Sequence, residues 1–228
     1  MLEFAPKVVF FDWNKTLSYS RFWEQLEDER HPLYEEGKKI EQFLFKDNRN
    51  ILNPWMRGKV TTDEVLDAIS QGTGILRDIL ERELLESCRN MQFAFKELPE
   101  MITALKGRGI QCVIATDNMD TFRKYTISNM KLDDLFDNFL ISCELGMLKF
   151  DIDRKNETLP FFDHYLAQIG LRYHDSILLD DHIDDGYYAS KGFRIFQVRN
   201  SQELRDCIER LLVLSDSKER LPAATSSV

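Results

Sequence analysis

Short apolar runs recur along the chain and end in turn or acidic residues. They lie at 8–12, 110–117, 139–142, 176–181 and 193–198. Their near-continuous hydrophobicity is typical of strands that are buried on both faces of a parallel sheet. Helical periodicity occupies the intervals 121–129, 159–170 and 202–214. The alternation of strands and helices predicts an α/β fold, a Rossmann-like parallel sheet with right-handed crossovers.

A long insertion interrupts this alternation. About 95 residues separate the first two predicted strands, far more than one crossover helix needs. The pattern inside the insertion predicts helices at 21–30, 33–46, 61–71 and 75–90, with a capping box at Thr61 to Glu64 and a stop at Gly72 and Gly74. Pro99 marks the start of the next core helix.

These boundaries predict two structural units and a tail. The α/β core comprises 1–19 and 96–214, and an α-helical second domain comprises 20–95. Residues 215–228 carry few large apolar side chains, so we expect them to form a loose C-terminal tail.

Composition narrows the choice of partners and compartment. With 228 residues and 43% hydrophobic side chains, the chain can bury a core without disulfides. A net charge of −9 argues against nucleic acid as a partner. The first apolar run is too short for a signal peptide or a membrane span, which predicts a cytoplasmic protein with no membrane association. Four separated cysteines favour reduced thiols rather than structural zinc, and the oligomeric state is left open.

Polar residues occur where predicted strands end. Asp12, Thr116, Asp180 and Asp181 each follow an apolar run. One such acid commonly caps the next helix. In an open α/β sheet, however, the carboxyl ends of the strands border the ligand-binding crevice. We therefore expect the four residues to share one pocket.

The acidic residues of this pocket favour a metal ion. Asp180, Asp181, Asp184 and Asp185 fall within six positions, and Asp12 belongs to a neighbouring strand. Clustered carboxylates repel one another unless a proton or a cation compensates. Mg²⁺ prefers oxygen ligands, so it is the predicted cofactor; a solvated acidic loop is the alternative.

The motifs together resemble those of the haloacid dehalogenase (HAD) superfamily. DWNKTL at 12–17 is similar to motif I, usually DxDxT, and VIATDN at 113–118 is similar to motif II. Lys149 resembles the lysine of motif III, and ILLDDHIDD at 177–185 resembles the acidic motif IV. All four occur in the order of the family. The insertion at 20–95 resembles the helical cap of the subclass whose cap follows motif I.

The resemblance implies a phosphatase that acts on a small phosphorylated metabolite. Asp12 is expected to attack phosphorus and form an aspartyl-phosphate. Thr116, Asp117 and Lys149 are expected to bind the phosphoryl oxygens.

The resemblance also implies a ligand set for Mg²⁺. Asp12, the main-chain carbonyl of Asn14 and Asp181 are the expected ligands. Family members complete the shell either with an adjacent acid or with one several residues away, so Asp180 and Asp185 both remain candidates.

Asn14 departs from the family pattern. Typical phosphatases of the family have an aspartate there as general acid and base, and an amide cannot transfer a proton in this way. Loss of such assistance costs about 10²- to 10⁴-fold in rate. Three readings follow: a slow phosphatase restricted to good leaving groups, an enzyme whose acid comes from elsewhere, such as His182, or a protein without turnover that binds a phospho-ligand or a protein partner.

Other chemistry of the family is less consistent with this sequence. Haloacid dehalogenation in the family proceeds without Mg²⁺, which the acidic cluster argues against. Phosphonate cleavage needs a reactive cap lysine, and none is distinguished by the sequence.

Arg57 is a weak candidate for contact with a second anionic group, and Lys15 occupies a position that is often glycine in the family.

Overall fold

The computed structural model describes residues 5–183 and 185–219. Five strands form one sheet in which every pair is parallel, with the spatial order β3-β2-β1-β4-β5. The strands are β1 (Val8–Phe11), β2 (Gln111–Thr116), β3 (Asn138–Ile141), β4 (Ser176–Asp180) and β5 (Arg194–Gln197). The predicted α/β class and the five strand positions are confirmed.

The sheet is buried on both faces, as the apolar runs predicted. Because side chains alternate across a strand, Val9 and Phe11 contribute to one apolar cluster, while Val8 and Phe10 contribute to another on the opposite face. Ring contacts strengthen the second cluster, including Phe10 against Phe162 with centroids 4.9 Å apart.

The helices cover these two faces and form the insertion. They are α1 (Tyr34–Ile40), α2 (Leu52–Met56), α3 (Thr62–Thr73), α4 (Arg77–Arg89), α5 (Leu98–Gly107), α6 (Ile127–Asn129), α7 (Leu132–Leu135), α8 (Ser142–Leu145), α9 (Pro160–Gln168), α10 (Tyr187–Ser190) and α11 (Ser201–Glu219). Two π-helical segments (Glu41–Asp47 and Phe122–Thr126) and three 3₁₀ turns (Glu24–Glu27, Arg49–Ile51 and Tyr173–Asp175) complete the described structure.

Between residues 20 and 95 the described structure consists of helices joined by turns and contains no strand. Helix α3 begins with the predicted capping box: the Thr61 hydroxyl accepts from the Glu64 N–H at 3.2 Å, and the Glu64 carboxylate accepts from the Thr61 N–H at 2.7 Å. Gly74 ends this helix at φ +74°. Gly72 lies within the helix against the Phe43 ring and does not stop it.

The helix predicted at 21–30 is wrong, because this stretch forms only the 3₁₀ turn Glu24–Glu27. Trp23 has a φ of +56°, which is incompatible with an α-helix through this position. Its buried indole N–H donates to the Leu80 carbonyl at 3.1 Å, so packing against α4 favours the bent backbone. The helix predicted at 33–46 divides into α1 and the π-helical Glu41–Asp47.

The chain beyond 214 also differs from the prediction. Helix α11 continues to Glu219, so residues 215–219 are helical rather than loose. The Ser215 hydroxyl bonds the carbonyl of Leu211 at 3.0 Å, which extends the helical pattern past the expected boundary. Residues 220–228 of the predicted tail lie outside the described residues. No helix in the described part of the chain has the length and hydropathy needed to span a bilayer.

The insertion shares its apolar core with one face of the sheet. Trp13 and Leu17, directly after β1, belong to the same buried cluster as Trp23 and Leu84 of the insertion. The Trp13 ring packs edge-on against Phe93 of the insertion with centroids 6.2 Å apart. The insertion is thus held against the edge of the sheet where β1 ends.

Candidate active site

The parallel register brings the predicted site residues to one edge of the sheet. Phe11 pairs with Ile114 on one side and with Leu179 on the other, and the Asp12 N–H donates to the Leu179 carbonyl at 2.9 Å. The residues that follow β1 and end β2 and β4 are therefore neighbours. This edge lies at the switch point of the sheet, where the chain turns from β2 and β3 on one side to β4 and β5 on the other.

A buried ammonium group joins two of these carboxylates. Nζ of Lys149 lies 2.5 Å from Oδ1 of Asp12 and 2.5 Å from Oδ2 of Asp180. The exposed fractions are 3% for Lys149, 5% for Asp12 and 1% for Asp180. Ions buried this deeply lose their hydration, and the contacts between the ammonium and the carboxylates must compensate for that loss.

The titration of this cluster reflects its burial. Burial raises the pKa of Asp12 to about 7; the Lys149 ammonium opposes this shift, and the Asp180 and Asp181 carboxylates add to it. Burial alone would lower the pKa of Lys149, but attraction to Asp12, Asp180 and Asp117 raises that pKa above its usual value. The ammonium therefore stays charged, while Asp12 holds a proton more readily than an exposed aspartate.

Three carboxylates converge to form a possible metal site. Oxygen atoms of Asp12, Asp180 and Asp181 all lie within 4.8 Å of one another. The pKa of Asp181 is also raised, first by burial and then by the Asp180 charge. An all-oxygen, anionic donor set is the type that Mg²⁺ prefers. The residues therefore fit the predicted cofactor.

Unsatisfied hydroxyl groups accompany the carboxylates. Thr116 at the end of β2 and Thr16 in the turn after β1 are fully buried. Among residues 5–183 and 185–219, neither threonine Oγ1 has a hydrogen-bond partner. Buried hydroxyls without partners are rare and costly. The predicted role of Thr116, contact with a phosphoryl oxygen, would satisfy one of them.

The structure separates the two candidates for completing the metal shell. Asp180 lies within the carboxylate cluster, with its Oδ1 accepting from the His182 N–H at 2.8 Å. Asp185 lies outside it, where its exposed carboxylate accepts from Arg154 at 2.6 Å. Its predicted metal role is therefore not supported by the geometry. Asp184 lies outside the described residues.

Two side chains fix the main chain of Lys149. The Asp117 carboxylate accepts from the Lys149 N–H at 2.9 Å, and the buried Tyr188 hydroxyl donates to the Lys149 carbonyl. The pKa of Asp117 is raised by burial, and attraction to Lys149 opposes this shift without cancelling it. The Asp117 carboxylate thus supports Lys149, and the main chain of Asp117 is the part of this residue left for the predicted phosphate contact. Tyr188 was missed because a tyrosine in an ordinary helical pattern gives no signal.

Asn14 and His182 lie on the exposed side of the site. Asn14 is exposed in the turn after Asp12, where its backbone forms a bridge with Ser18. His182 packs edge-on against Phe150, with ring centroids 4.9 Å apart. The ring contact of His182 is thus with Phe150 and not with Asp12.

A segment of the insertion, residues 55–62, contacts the loops that carry the site residues. The Ser142 hydroxyl after β3 donates to the Met56 carbonyl at 2.6 Å and accepts from the Asn118 N–H at 2.9 Å. Arg57 forms a two-pronged ion pair with Asp151, two residues beyond Lys149, with one N–O distance of 2.7 Å. The 55–62 segment is therefore linked to both the Thr116 and the Lys149 loops.

Further contacts hold the same segment. The Asp120 carboxylate accepts from the Thr62 hydroxyl, from the Trp55 indole N–H at 3.3 Å and from Lys124 at 2.7 Å. Gly58 has φ +64°, and a Cβ there would lie 2.2 Å from the Cys143 carbonyl oxygen. Only glycine permits this close approach of the two backbones.

The family of the protein follows from comparison with known sequences. A model of the haloacid dehalogenase-like hydrolases matches residues 6–187, which include all four motifs. The chain belongs to this family of hydrolases. No curated protein matches the sequence.

Solved structures share the fold at low sequence identity. A predicted HAD-like family hydrolase from Porphyromonas gingivalis is 16% identical with a TM-score of 0.64, covering 91% of this chain and 98% of that one. A HAD family enzyme from Bacteroides thetaiotaomicron, solved in complex with magnesium and inorganic phosphate, is 14% identical with a TM-score of 0.61, covering 86% and 96%.

A dehalogenase also resembles the chain. The L-2-haloacid dehalogenase of Xanthobacter autotrophicus, with chloropropionic acid covalently bound, is 16% identical with a TM-score of 0.58, covering 93% of this chain and 88% of that one. Similarity at this level shows a common fold, and the reaction must be argued from the site itself.

Proposed function

We propose that the protein is a Mg²⁺-dependent phosphatase that hydrolyses a small organic phosphate through an aspartyl-phosphate on Asp12. The observation that carries this proposal is the convergence of Asp12, Asp180 and Asp181 within 4.8 Å. A covalent carboxylate nucleophile alone has no need of two further acids. The Bacteroides relative, which binds magnesium and inorganic phosphate, is consistent with the same chemistry.

Each residue has a defined part in this reaction. A carboxylate oxygen of Asp12 attacks phosphorus, the bond from phosphorus to the ester oxygen breaks, and an acyl phosphate forms on Asp12. Water then attacks phosphorus, which releases inorganic phosphate and restores Asp12. The Lys149 ammonium favours the ionised form of Asp12 against the effect of burial and, with the Thr116 hydroxyl, offsets charge on the phosphoryl oxygens.

Asp12, Asp180 and Asp181 are the side chains that would hold Mg²⁺, together with the Asn14 carbonyl. The bound ion offsets negative charge on these carboxylates and on the transferred group.

The helical insertion 20–95 is proposed to act as a cap over this site. Its 55–62 segment bonds the loops that follow β2 and β3, and Asp12 at this edge of the sheet is only 5% exposed. A cover that excludes water strengthens electrostatic interactions and protects an acyl phosphate from uncontrolled hydrolysis. The same segment would therefore contribute to selection among small phosphorylated metabolites.

Asn14 supports a second candidate, a protein that binds a phospho-ligand without turnover. Its amide cannot protonate the leaving oxygen, and the described contacts of His182 are its ring against Phe150 and its main-chain N–H on Asp180. The first candidate therefore predicts activity chiefly towards esters with good leaving groups, such as aryl and acyl phosphates.

One assay separates the candidates. Phosphate release from aryl and acyl phosphates is measured with and without Mg²⁺ for the unmodified chain, Asp12→Asn and Asn14→Asp. Turnover by the unmodified chain that is lost in Asp12→Asn supports the phosphatase. Turnover confined to Asn14→Asp supports the binding protein, whereas full activity of Asp12→Asn excludes the covalent route.

A further inference from the structure

Lys15 adopts a backbone conformation that lysine rarely uses. Its φ is +58°, in the left-handed region where a Cβ is crowded. The turn requires this conformation, because the Lys15 N–H donates to the Ser18 carbonyl at 2.7 Å and Asn14 pairs with Ser18. Glycine would adopt it without strain.

The Lys15 side chain lies at the solvent side of the carboxylate cluster. Its Nζ is 3.9 Å from Oδ2 of Asp181, and the exposed fractions of the two side chains are 65% and 33%. Lys149 contacts the same cluster from the buried side. The three carboxylates are therefore flanked by one buried and one exposed ammonium group.

The ion pair with Asp181 does not account for the strain at Lys15. A separation of 3.9 Å is too long for a hydrogen bond, and both groups remain hydrated. Exposed pairs of this type contribute little to stability. The ammonium group of Lys15 therefore lies beside Asp181 on the solvent side of the cluster and is only weakly paired there.

Charge balance indicates what this ammonium group does. Three carboxylates and two ammonium groups leave the cluster with one net negative charge, and a divalent cation would make it one net positive charge. Asp181 would then attract Lys15 less strongly, since it would also hold the metal ion. The lysine becomes available to another anion on the solvent side of the cluster.

We propose that Lys15 is a specificity-determining residue that binds a second anionic group on the substrate, carried by the part that departs with the ester oxygen. This inference rests on the proposed function, because it assumes that the phosphoryl group lies between Asp12 and Thr116. The preferred substrate is accordingly a small phosphate ester with a carboxylate or a second phosphate.

Binding of two phosphonates that cannot be hydrolysed tests this assignment. Benzylphosphonate and 4-carboxybenzylphosphonate differ by one carboxylate and are titrated calorimetrically into the full chain with saturating Mg²⁺. Lys15→Gly is expected to weaken binding of the carboxylated compound about fivefold while changing benzylphosphonate less than about twofold. Lys15→Arg should retain the preference because it keeps the charge.

Lys131 supplies a matched control. It is also an exposed lysine at positive φ, +53°, and it precedes α7, which leads into the start of β3, whereas the site lies where the parallel strands end. Lys131→Gly removes the same charge and the same backbone strain. It should leave the affinities for both phosphonates unchanged, and circular dichroism should show both glycine variants folded.

Either of two results overturns the assignment of Lys15. One is an equal effect of Lys15→Gly on both phosphonates, including no effect on either, and the other is failure of the unmodified chain to bind the carboxylated compound. Turnover of phenyl phosphate is measured separately. If Lys15→Gly selectively loses binding of the carboxylated phosphonate but the unmodified chain does not turn over phenyl phosphate, the role of Lys15 is retained and the phosphatase is rejected. If the chain turns over phenyl phosphate but Lys15→Gly shows no selective loss, the phosphatase is retained and the role of Lys15 is rejected.

Discussion

Replacing Lys149 with methionine tests the charge balance of the site. The substitution keeps an unbranched side chain of similar length but removes the ammonium group that lies 2.5 Å from both Asp12 and Asp180. Two carboxylates that are almost fully buried then lack their common counter-ion. Breaking a buried ion pair by removing one partner typically costs about 3–5 kcal/mol. For a chain of 228 residues this corresponds to a melting temperature lower by roughly 6–20 °C.

The assay is thermal unfolding at pH 7.5 in the presence of a chelator, followed by titration with Mg²⁺. A ligand at about 100 times its dissociation constant stabilises the folded state by about 2.7 kcal/mol. Mg²⁺ should therefore recover roughly 5–11 °C of the loss in Lys149→Met. The double variant Lys149→Met with Asp180→Asn should also recover stability without metal, because one of the two unpaired charges is gone.

The pH dependence of this loss has a definite sign. Burial already raises the pKa of Asp12 to about 7, and removal of Lys149 removes the group that opposes this shift. An acid whose pKa is higher in the folded than in the unfolded chain binds more protons when folded, so it destabilises the fold as pH rises above the unfolded value, about 3.9. The deficit of Lys149→Met should shrink between pH 8 and pH 5. A variant as stable as the unmodified chain at pH 7.5 would refute the reasoning.

Two further predictions follow from the same geometry. Mg²⁺-induced thermal stabilisation of the unmodified chain should increase from pH 6 to pH 8, because a metal ligand must lose its proton and the pKa of Asp12 is raised to about 7. Asp181→Asn should largely abolish this stabilisation, whereas Asp185→Asn should not. An equal loss in both variants would contradict the assignment of ligands. Gly58→Ala should lower the free energy of unfolding, measured by denaturant titration, by at least about 2 kcal/mol, because it adds backbone strain and a clash between the new Cβ and the Cys143 carbonyl oxygen. Gly74→Ala is the control, since Gly74 has a similar φ of +74° and no atom lies within 4 Å of the added Cβ. It should cost only about 1 kcal/mol.

The α/β class and the positions of the strands were predictable because strands buried on both faces leave apolar runs in the sequence. Helix boundaries in the insertion were less predictable. At 21–30 the local pattern indicates a helix, but Trp23 bends the chain so that its indole reaches Leu80, 57 residues away. A contact of that range leaves no signature in local periodicity, and the gain from burying a tryptophan exceeds a weak helical propensity.

Site residues at strand ends were also accessible from the sequence. Asp12, Thr116 and Asp180 converge because parallel strands in register end at the same edge. Supporting contacts were not accessible in this way. Asp117 was predicted to bind phosphate, and the sequence did not show that its carboxylate accepts from the Lys149 N–H at 2.9 Å, a contact made because a buried main-chain donor needs an acceptor.

The sequence by itself determined which residues carry reactive groups and which strand ends present them, since both depend on local pattern and on the geometry common to parallel sheets. Tertiary structure decided which of those groups meet. Asp180 joins the carboxylate cluster and Asp185, five residues later, pairs with Arg154 in solvent. The path of a loop between two strands depends on packing with distant segments, and neither residue spacing nor residue type specifies that packing.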